Sequence, residues 1–235
     1  MNDDISKNEE PILEVIASSL EDAINAEKGG ADRLEIIRDL EAGGYTPPLE
    51  LVREIQQAVS LPLRVMLREE PCYGLTEVIT VEKLCCLANE LNKMNVDGVV
   101  LGFLRSGDVD VELTRKILGY APDVRATFHH AFEETTDKAA AIGAIKRISQ
   151  VDRILSHGGT GLMSQRVAKL REYALCARPE IQILAGGRVG REMIRQLRID
   201  TSIREFHVGS AARTDGRVDV GRVRELSEAV KGLYV

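Results

Sequence analysis

The sequence predicts a single closed (β/α)₈ barrel, because short apolar segments alternate with helical segments eight times along 235 residues. Apolar strands that are each followed by a helix are typical of a parallel sheet covered by helices. Eight such units at this length, with no Ser-rich or Pro-rich linker between them, fit a closed barrel better than an open sheet. An open sheet is the alternative, but it predicts a G-x-G-x-x-G turn where the first strand is followed by SSLEDA, residues 18–23.

The element boundaries follow from segments rich in Val, Ile and Leu and from residues typical of helix ends. Gly29 and Gly30 follow the first helix, and Pro47 and Pro48 precede the second. The predicted strands are residues 11–17, 32–37, 62–67, 96–102, 124–130, 151–156, 181–186 and 204–209. The predicted helices are residues 19–28, 48–59, 76–94, 109–119, 136–148, 163–176, 189–197 and 219–232.

These boundaries predict one barrel domain over residues 11–235, preceded by a short flexible tail over residues 1–10. The tail is acidic and polar, whereas a signal peptide needs a basic start and an apolar stretch. No window approaches 18 apolar residues, so we expect a cytoplasmic protein with no membrane partner. Barrel proteins often assemble through their helical faces, and a homo-oligomer is compatible with the sequence.

Charge and cysteine content exclude further classes of protein. The formal net charge is −6 and no run of five basic residues occurs, so the electrostatic signature of a nucleic-acid-binding protein is absent from the sequence. The four cysteines have no C-x-x-C spacing, and we expect them to be reduced thiols that act as small apolar groups. They are Cys72, Cys85, Cys86 and Cys176.

The alternation of side chains along each strand predicts a polar barrel interior. The outward face must be apolar because helices cover it, so charged residues and histidines at the other positions point inward. Four of these residues lie near the carboxyl ends of their strands, where barrel enzymes carry their chemistry: Glu35, Arg68, His129 and His207. By the same alternation, His130 is expected to face away from the interior, towards a helix or loop.

Five further charged residues are expected to point inward at deeper positions. They are Glu14, Arg33, Arg64, Arg125 and Glu205. Charges in a closed interior are costly unless they are paired, so these residues either form an ion-pair network or support the site directly.

Two glycine-containing loops after the seventh and eighth strands predict an anion site. The segments are AGGRVG, residues 185–190, and VGSAAR, residues 208–213. Such turns bring backbone N–H groups close to an anion at the place where barrels commonly bind phosphate, and arginines add charge-assisted hydrogen bonds. The alternative is that the glycines only form tight turns. The candidate ligand residues are Gly186, Gly187, Arg188, Gly209 and Ser210, with Arg213 beside them.

These segments together resemble the CutC family, known as copper homeostasis proteins with a (β/α)₈ barrel fold. The resemblance matches His129 to the first histidine of the family motif T-F-H-R-A-F-D and His207 to the histidine of the eighth strand, while His130 replaces the motif's arginine. It rests, in chain order, on LEVIASSLEDAINAEKGGADRLEI, EAGGYTP, LPLRVMLR, DGVVLGFL, ATFHHAFEE, DRILSHGG, LAGGRVG and EFHVGSAAR.

The chain departs from the family pattern at the positions tied to copper. The resemblance implies a Cu(I)-binding cysteine pair, but Ile16 and Ile37 stand at those positions. Cu(I) selects soft thiolate or thioether ligands, which isoleucine does not offer. The family segment R-P-R-G-G-D-F is REEPCYG here, retaining only Arg68. Cys72 with Met66 and His129 is the alternative set of soft ligands.

Three functional hypotheses follow. The first is a CutC-like copper homeostasis protein with a polar ligand site. The second is an enzyme on a small anionic or phosphorylated metabolite, in which His129 or His207 exchanges a proton, Glu35 orients it and Arg68 holds the anion. The third is a non-catalytic scaffold. No lysine lies at a predicted strand end, which disfavours a Schiff-base enzyme.

A metal-dependent variant of the enzyme hypothesis uses copper or another divalent metal ion as cofactor. It places the ion between Glu35, His129 and His207, since carboxylate and imidazole groups suit Zn²⁺ or Mn²⁺. The predicted partner is therefore a small anionic molecule or a metal ion.

Overall fold

Eight parallel strands close into a barrel in the computed structural model, which describes residues 10–75 and 77–232. β1 pairs with both β2 and β8, so the predicted closed barrel is confirmed and the open-sheet alternative is wrong. The strands are β1 (Ile12–Ala17), β2 (Arg33–Ile36), β3 (Leu63–Met66), β4 (Gly98–Leu101), β5 (Arg125–Phe128), β6 (Val151–Ser156), β7 (Gln182–Ala185) and β8 (Glu205–Val208).

A helix follows each strand, within a few residues of its predicted boundaries. Asp137 caps α5 by accepting a hydrogen bond from the Ala140 N–H, so that helix begins later than predicted. None of the helices in the described parts of the chain has the length and apolar character that a membrane span requires. The helices are α1 (Leu20–Gly29), α2 (Leu49–Ala58), α3 (Val78–Lys93), α4 (Val111–Leu118), α5 (Lys138–Ile145), α6 (Met163–Ala177), α7 (Arg191–Asp200) and α8 (Val220–Lys231). Apart from Glu10, the predicted tail over residues 1–10 lies outside the described residues.

Small elements shape the loops that follow the strands. Short 3₁₀ helices follow β2, β5 and β8, at Leu40–Ala42, His130–Glu134 and Ser210–Ala212. Two short hairpins lie after β4 and β8; they pair Leu104–Arg105 with Asp108–Val109 and Arg213–Thr214 with Arg217–Val218. These elements all lie at the carboxyl end of the barrel, the face expected to carry the site.

The apolar core lies mainly between the sheet and the helices. Phe128 and Phe206 are fully buried there, as outward-facing strand residues should be. Burying a side chain of this size stabilises the fold by about 1.5–3 kcal/mol. A second, smaller apolar cluster is separate from this core and consists of Ile16, Ile37, Met66 and Val100, with Leu40 packed against it.

The lower barrel interior contains a continuous ion-pair network. Arg33 contacts Glu14 at 2.5 Å and Glu205 at 2.7 Å, and Glu205 in turn contacts Arg153 at 2.6 Å. Asp152 lies 2.5 Å from Arg153. Because every one of these buried or half-buried charges has an oppositely charged partner, the desolvation penalty is offset by pairing.

The network continues to Arg64, which contacts Asp152 at 2.9 Å and Asp97 at 2.6 Å. Arg125 is an exception to the predicted set of interior charges, because it is exposed. It is the first residue of β5 and lines a cleft at the amino end of the barrel. The prediction that Arg125 points into the closed interior is therefore wrong.

Candidate functional site

A cavity of about 200 Å³ lies at the carboxyl end of the barrel and brings four predicted site residues together. A larger cleft of about 770 Å³ lies beside it, and Leu40 borders both spaces. The smaller cavity is the candidate site despite its size, because the predicted residues Glu35, His129 and His207 line it and none of them lines the larger cleft. Its lining consists of Ile16, Glu35, Ile37, Leu40, Gly43, Met66, Arg68, Tyr73, His129, His130, Leu155 and His207.

The barrel register places His207 between two carboxylates. Glu14 in β1 lies opposite His207 in β8, and Ile16 in β1 lies opposite Glu35 in β2. His207 Nδ1 donates to Glu14 Oε1 at 2.8 Å, and His207 Nε2 lies 3.6 Å from Glu35 Oε2. All three side chains are buried, and the second carboxylate oxygen of Glu35, Oε1, has no hydrogen-bond partner within the described structure.

Burial and neighbouring charges give the two carboxylates different protonation behaviour. Burial, reinforced by the Glu14 carboxylate, raises the pKa of Glu35 to about 7, although His207 and Arg33 oppose the shift. Burial alone would also raise the pKa of Glu14, but Arg33 and His207 hold that pKa well below its usual range. Glu14 is therefore a permanent carboxylate, whereas Glu35 exchanges a proton near neutral pH.

His207 shares this proton equilibrium. Burial alone would lower the pKa of His207, but the Glu35 and Glu14 carboxylates raise it above its ordinary value. Since Glu35 and His207 interact closely, their titration belongs to the pair and not to either side chain alone. The arrangement holds a proton between a carboxylate and an imidazole that face one cavity, which is the requirement for general acid–base chemistry.

His129 is held in a fixed orientation at the end of β5. The strand ends at Phe128, and His129 then caps the 3₁₀ helix His130–Glu134 by accepting a hydrogen bond from the Ala131 N–H on Nδ1 at 3.2 Å. Tyr73 packs against the imidazole with ring centroids 5.0 Å apart. Burial, with the positive charge of Arg68 and the neighbouring His130, lowers the pKa of His129 to about 3.

The prediction that His130 faces away from the interior is wrong, because this residue also lines the cavity. Strand alternation ends with β5 at Phe128, so it no longer determines the direction of a side chain in the following 3₁₀ helix. The Nδ1 atom of His130 is buried without a hydrogen-bond partner among the described residues, and its ring lies 5.6 Å from that of His157. Burial, with His207 and His157, lowers the pKa of His130 to about 3.

Arg68 joins two loops at the edge of the cavity. Its guanidinium donates to the carbonyl oxygens of Gly43 and Gly44 at 3.3 Å, of Glu70 at 3.0 Å and of Pro71 at 2.6 Å. The same group lies 5.0 Å from the centroid of the Tyr73 ring. These carbonyl groups leave the positive charge of Arg68 intact, so Arg68 fixes the loops and keeps the cavity electropositive on this side.

The glycines after β7 are required by close packing. A Cβ on Gly186 would lie 2.6 Å from Leu155 Cδ1, and one on Gly187 would lie 2.5 Å from His157 Cβ. Gly187 also has a φ of +67°, which favours glycine. Both carbonyl oxygens accept hydrogen bonds from Arg166. Neither glycine lines the cavity. This favours the alternative that the glycines of this loop only form a tight turn.

The remaining candidates for an anion site also lie outside the small cavity. Arg188 is exposed, and Ser210 borders the larger cleft. A Cβ on Gly209 would lie 2.9 Å from Ile16 Cδ1. Arg213 donates to the Gly209 and Ile16 carbonyl oxygens and forms an ion pair with Asp22 at 3.1 Å, so its charge is already compensated.

The described residues contain no group of three or more His, Cys, Asp or Glu side chains arranged to hold a metal ion. Glu35, His129 and His207 line one cavity, but they do not form such a group. Cys72 is exposed, and its thiol donates to the Gly74 carbonyl oxygen at 3.2 Å.

Sequence reasoning missed several residues that build the site. Tyr73 lies in an irregular loop, where no periodic pattern predicts its direction. Glu133 lies four residues after His129 and connects two loops, accepting hydrogen bonds from Ser156 Oγ and the His157 N–H, each at 2.7 Å. Arg153 belongs to the ion-pair network below the cavity, and it was predictable, since strand alternation in β6 places it on the same face as Leu155.

Comparisons with known proteins agree with this architecture. The sequence profile of the CutC family matches residues 11–212. The human copper homeostasis protein cutC homolog is 27% identical over 205 residues, covering 87% of this chain and 75% of the relative. A family protein CutC from Xanthomonas campestris pv. campestris (strain B100) is 27% identical over 237 residues, covering 93% and 98%.

Solved structures show the same fold. CutC from Streptococcus agalactiae superposes with a TM-score of 0.79 at 22% identity, covering 85% of this chain and 98% of the other. Thiamine phosphate pyrophosphorylase from Pyrococcus furiosus superposes with a TM-score of 0.63 at 16% identity, covering 95% and 97%, and shows a shared barrel fold alone. Because the family profile extends over most of the barrel, this chain belongs to the CutC family.

Proposed function

We propose that the protein is an acid–base catalyst that moves a proton on a small anionic molecule bound in the cavity. The observation that carries this proposal is the 3.6 Å approach of His207 Nε2 to Glu35 Oε2, inside a cavity where both side chains are buried. The pKa of the Glu35 carboxyl group is raised to about 7 and that of the His207 imidazole is raised above its ordinary value, so the pair is able to accept and return a proton.

Each residue of the pair has a distinct role. Glu35 in its ionised form accepts a proton from the bound molecule, and His207 in its protonated form supplies one. Glu14 is a positioning residue, because its hydrogen bond to His207 Nδ1 fixes the imidazole and directs Nε2 towards Glu35. Arg33 contacts Glu14 at 2.5 Å and keeps that carboxylate ionised.

The cavity supports a small ligand with negative charge. Its volume of about 200 Å³ is below the roughly 300–1,000 Å³ of most ligand sites, which favours a molecule smaller than a typical drug. Arg68 lines the cavity, and its charge contributes to the lowered pKa of His129. The same positive potential favours an anionic group on the ligand.

The names of the relatives raise copper as a cargo or ligand, but the donor set of this cavity does not fit Cu(I). Among its described lining residues there is one thioether, Met66, and no thiol. Ile16 and Ile37 stand where the family resemblance implies cysteines, and their side chains are part of the second, smaller apolar cluster. Cu(I) requires soft ligands that these positions do not supply.

The proposed compartment is the cytoplasm. All four cysteines are free thiols, one buried and three exposed, which suits a reducing environment. Small anionic metabolites are abundant there, so the compartment also agrees with the proposed ligand class.

Deuterium exchange tests the proposed activity without knowledge of the product. The protein is incubated in D₂O with a panel of small carboxylates and phosphate esters, and deuterium incorporation is measured by mass spectrometry. We expect incorporation into at least one compound, with a loss of about 100-fold or more in Glu35→Gln and in His207→Gln. Glu82→Gln, at an exposed position on α3, is the matched control and should retain the activity. Exchange at equal rates in wild type and Glu35→Gln would contradict the proposal.

A further inference from the structure

We infer that the molecule bound in the cavity is a carbonyl compound with a proton on the carbon next to the carbonyl group, and that His129 is a catalytic residue which donates a hydrogen bond from Nε2 to the carbonyl oxygen. This inference rests on the proposed acid–base function and names its substrate class. It starts from the surroundings of His129 and not from those of the Glu35–His207 pair.

The hydrogen bond at the end of β5 fixes the tautomer of His129. A backbone N–H group is only a donor, so the Ala131 N–H requires a lone pair on His129 Nδ1. In a neutral imidazole the proton must then be on Nε2. The backbone therefore converts this side chain into a hydrogen-bond donor at the opposite nitrogen.

Packing leaves Nε2 available for a ligand. A Cβ on Gly102 would lie 2.7 Å from His129 Nδ1 and 2.9 Å from Cε1, so the edge of the ring that carries Nδ1 faces the end of β4. Tyr73 covers part of the imidazole at 5.0 Å. Tyr73 and Phe128 pack against the ring and the Ala131 N–H donates to Nδ1, whereas no hydrogen bond joins Nε2 to another described side chain.

The barrel topology places this donor across the cavity from the acid–base pair. β5 is four strands from β1 in either direction around the eight-stranded barrel, whereas Glu35 and His207 are on the two strands that flank β1. A flat molecule between them presents one atom to His129 and its neighbouring carbon to Glu35. A carbonyl group with an adjacent C–H bond has this pattern of an acceptor beside a proton to be removed.

Burial and the charge of Arg68 keep His129 neutral during such a reaction. The ring is buried, the positive charge of Arg68 opposes its protonation, and Tyr73 covers it without an opposing negative charge at neutral pH. A neutral imidazole that keeps its own proton stabilises the developing oxyanion by hydrogen bonding, as is known for other barrel enzymes. Arg68 adds positive charge on the same side of the cavity.

The proton transfer is balanced within the site. The C–H bond breaks and its proton moves to the Glu35 carboxylate, while the electron pair forms a C=C bond and the former C=O pair moves to oxygen. In this step His129 Nε2–H stabilises the enolate oxygen, and protonated His207 supplies a proton to it. Return of the proton from Glu35 to carbon, and of the other proton to His207, restores the enzyme. No oxidant, reductant or metal ion enters this sequence.

The tautomer of His129 is the first test and needs no substrate. ¹⁵N NMR of histidine-labelled protein, with the signals assigned by His129→Asn, should show a protonated Nε2 and an unprotonated Nδ1 from pH 5 to pH 8. A lone pair on Nε2, or conversion to imidazolium within this range, would overturn the inference. Neither result would contradict the proposal that Glu35 and His207 act as an acid–base pair.

Matched pairs of compounds test the substrate class. Pyruvate is compared with lactate, and dihydroxyacetone phosphate with glycerol 3-phosphate, for deuterium incorporation in D₂O. We expect Glu35-dependent incorporation into the carbonyl members only. The Asn side chain can still cap the 3₁₀ helix, but it is too short to donate a hydrogen bond at the position of His129 Nε2. His129→Asn should therefore reduce exchange by about 100-fold. His129→Gln, with an amide donor of longer reach, should restore part of it.

The outcomes separate the two proposals. Incorporation into the alcohol members, or an unchanged rate in folded His129→Asn, overturns the carbonyl inference while the acid–base proposal stands. Two results contradict both proposals. One is that Glu35→Gln changes none of the exchange rates; the other is that neither these four compounds nor the panel of carboxylates and phosphate esters exchanges deuterium.

Discussion

His207 Nδ1 lies 2.8 Å from Glu14 Oε1, and this contact between β8 and β1 determines which nitrogen faces the cavity. Because the Glu14 carboxylate is only an acceptor, Nδ1 carries a proton and Nε2 is directed to Glu35 Oε2 at 3.6 Å. A histidine oriented by one carboxylate and coupled to a second is an arrangement for proton transfer, and it also makes predictions about stability.

Replacing Glu14 by Gln should lower the pKa of His207. The variant retains a group that accepts a hydrogen bond but removes the negative charge that favours imidazolium. Histidine NMR titration should therefore show a lower midpoint for His207 than in the wild type. An unchanged or higher midpoint would show that Glu14 does not control the imidazole. Glu21→Gln, at an exposed position of α1, is the control.

The stability of the wild type relative to Glu35→Gln should decrease as the pH rises from about 5 to about 8. His129 and His130, whose pKa values are lowered to about 3 on folding, act in the opposite direction, but they are present in both proteins and cancel in this difference. The pKa of Glu35 rises from an ordinary value of 4.5 to about 7 on folding, so the folded protein binds more protons between these values. The raised pKa of His207 acts in the same direction, since its stabilisation is present below 6.5 and is lost as the pH rises through its folded pKa. Urea denaturation across this range, compared with Glu35→Gln, measures the effect. A difference in free energy of unfolding between the two proteins that stays constant or grows as the pH rises is the opposite of the expected result.

Replacing Arg33 by Met should destabilise the fold by about 3–5 kcal/mol, because it leaves two buried carboxylates, Glu14 and Glu205, without their shared partner. Arg53→Met is the matched control. Arg53 pairs with Glu50 at 3.5 Å on the surface, and its loss should cost less than about 1 kcal/mol. Chemical denaturation of both variants checks the prediction; similar losses in the two would mean that the interior network does not stabilise the barrel.

Replacing Gly187 by Ala should destabilise the protein more than replacing Gly216 by Ala. Both residues have a positive φ, of +67° and +79°, so each substitution carries the left-handed strain of about 1–2 kcal/mol. A Cβ on Gly187 also lies 2.5 Å from His157 Cβ, whereas one on Gly216 meets nothing within 4 Å. The additional loss should be about 1–3 kcal/mol, measured by thermal or chemical unfolding. Equal losses of stability in the two variants would show that the loop after β7 adjusts to the added methyl group without a measurable cost.

Cu(I) should bind to the Ile16→Cys/Ile37→Cys variant more tightly than to the wild type. Ile16 and Ile37 both line the cavity and belong to one apolar cluster, so the double substitution supplies two soft ligands to one space. Titration of Cu(I) against a colorimetric chelator measures the difference, with all other cysteines unchanged. Stoichiometric binding by the wild type, at the same affinity as the variant, would contradict our view of the donor set.

The strands and helices were predictable because each strand is apolar on its outward face and some helices have typical end residues, such as Gly30 after α1 and Pro48 before α2. The inward direction of Glu35 and Glu14 followed from the same alternation. His130 was mispredicted because β5 ends two residues earlier, and Arg125 because an inward position at the first residue of a strand still faces solvent. The alternation of side chains along a strand does not show whether an inward-pointing residue lies at the end of the barrel or at its centre.

The anion site illustrates a different limit. Glycines occur in a loop either because its backbone binds an anion or because a neighbouring side chain packs closely against it. The sequence alone does not distinguish these two roles. At Gly186 and Gly187 the neighbours Leu155 and His157 favour packing, and these contacts depend on β6 and the residue that follows it. Arg213 was equally ambiguous until its ion pair with Asp22, which is distant in the sequence, became visible.

The most direct test of the acid–base pair is the titration of the Glu35 carboxyl group. ¹³C NMR of protein labelled at the glutamate carboxyl carbon, with Glu35 assigned by Glu35→Gln, gives its pKa without a substrate. The structure predicts a midpoint near 7, because burial and the Glu14 carboxylate favour the protonated form, and a change in that midpoint in His207→Gln. A midpoint near the ordinary value of 4.5, insensitive to His207→Gln, would contradict the central claim that these two residues share a proton in the cavity.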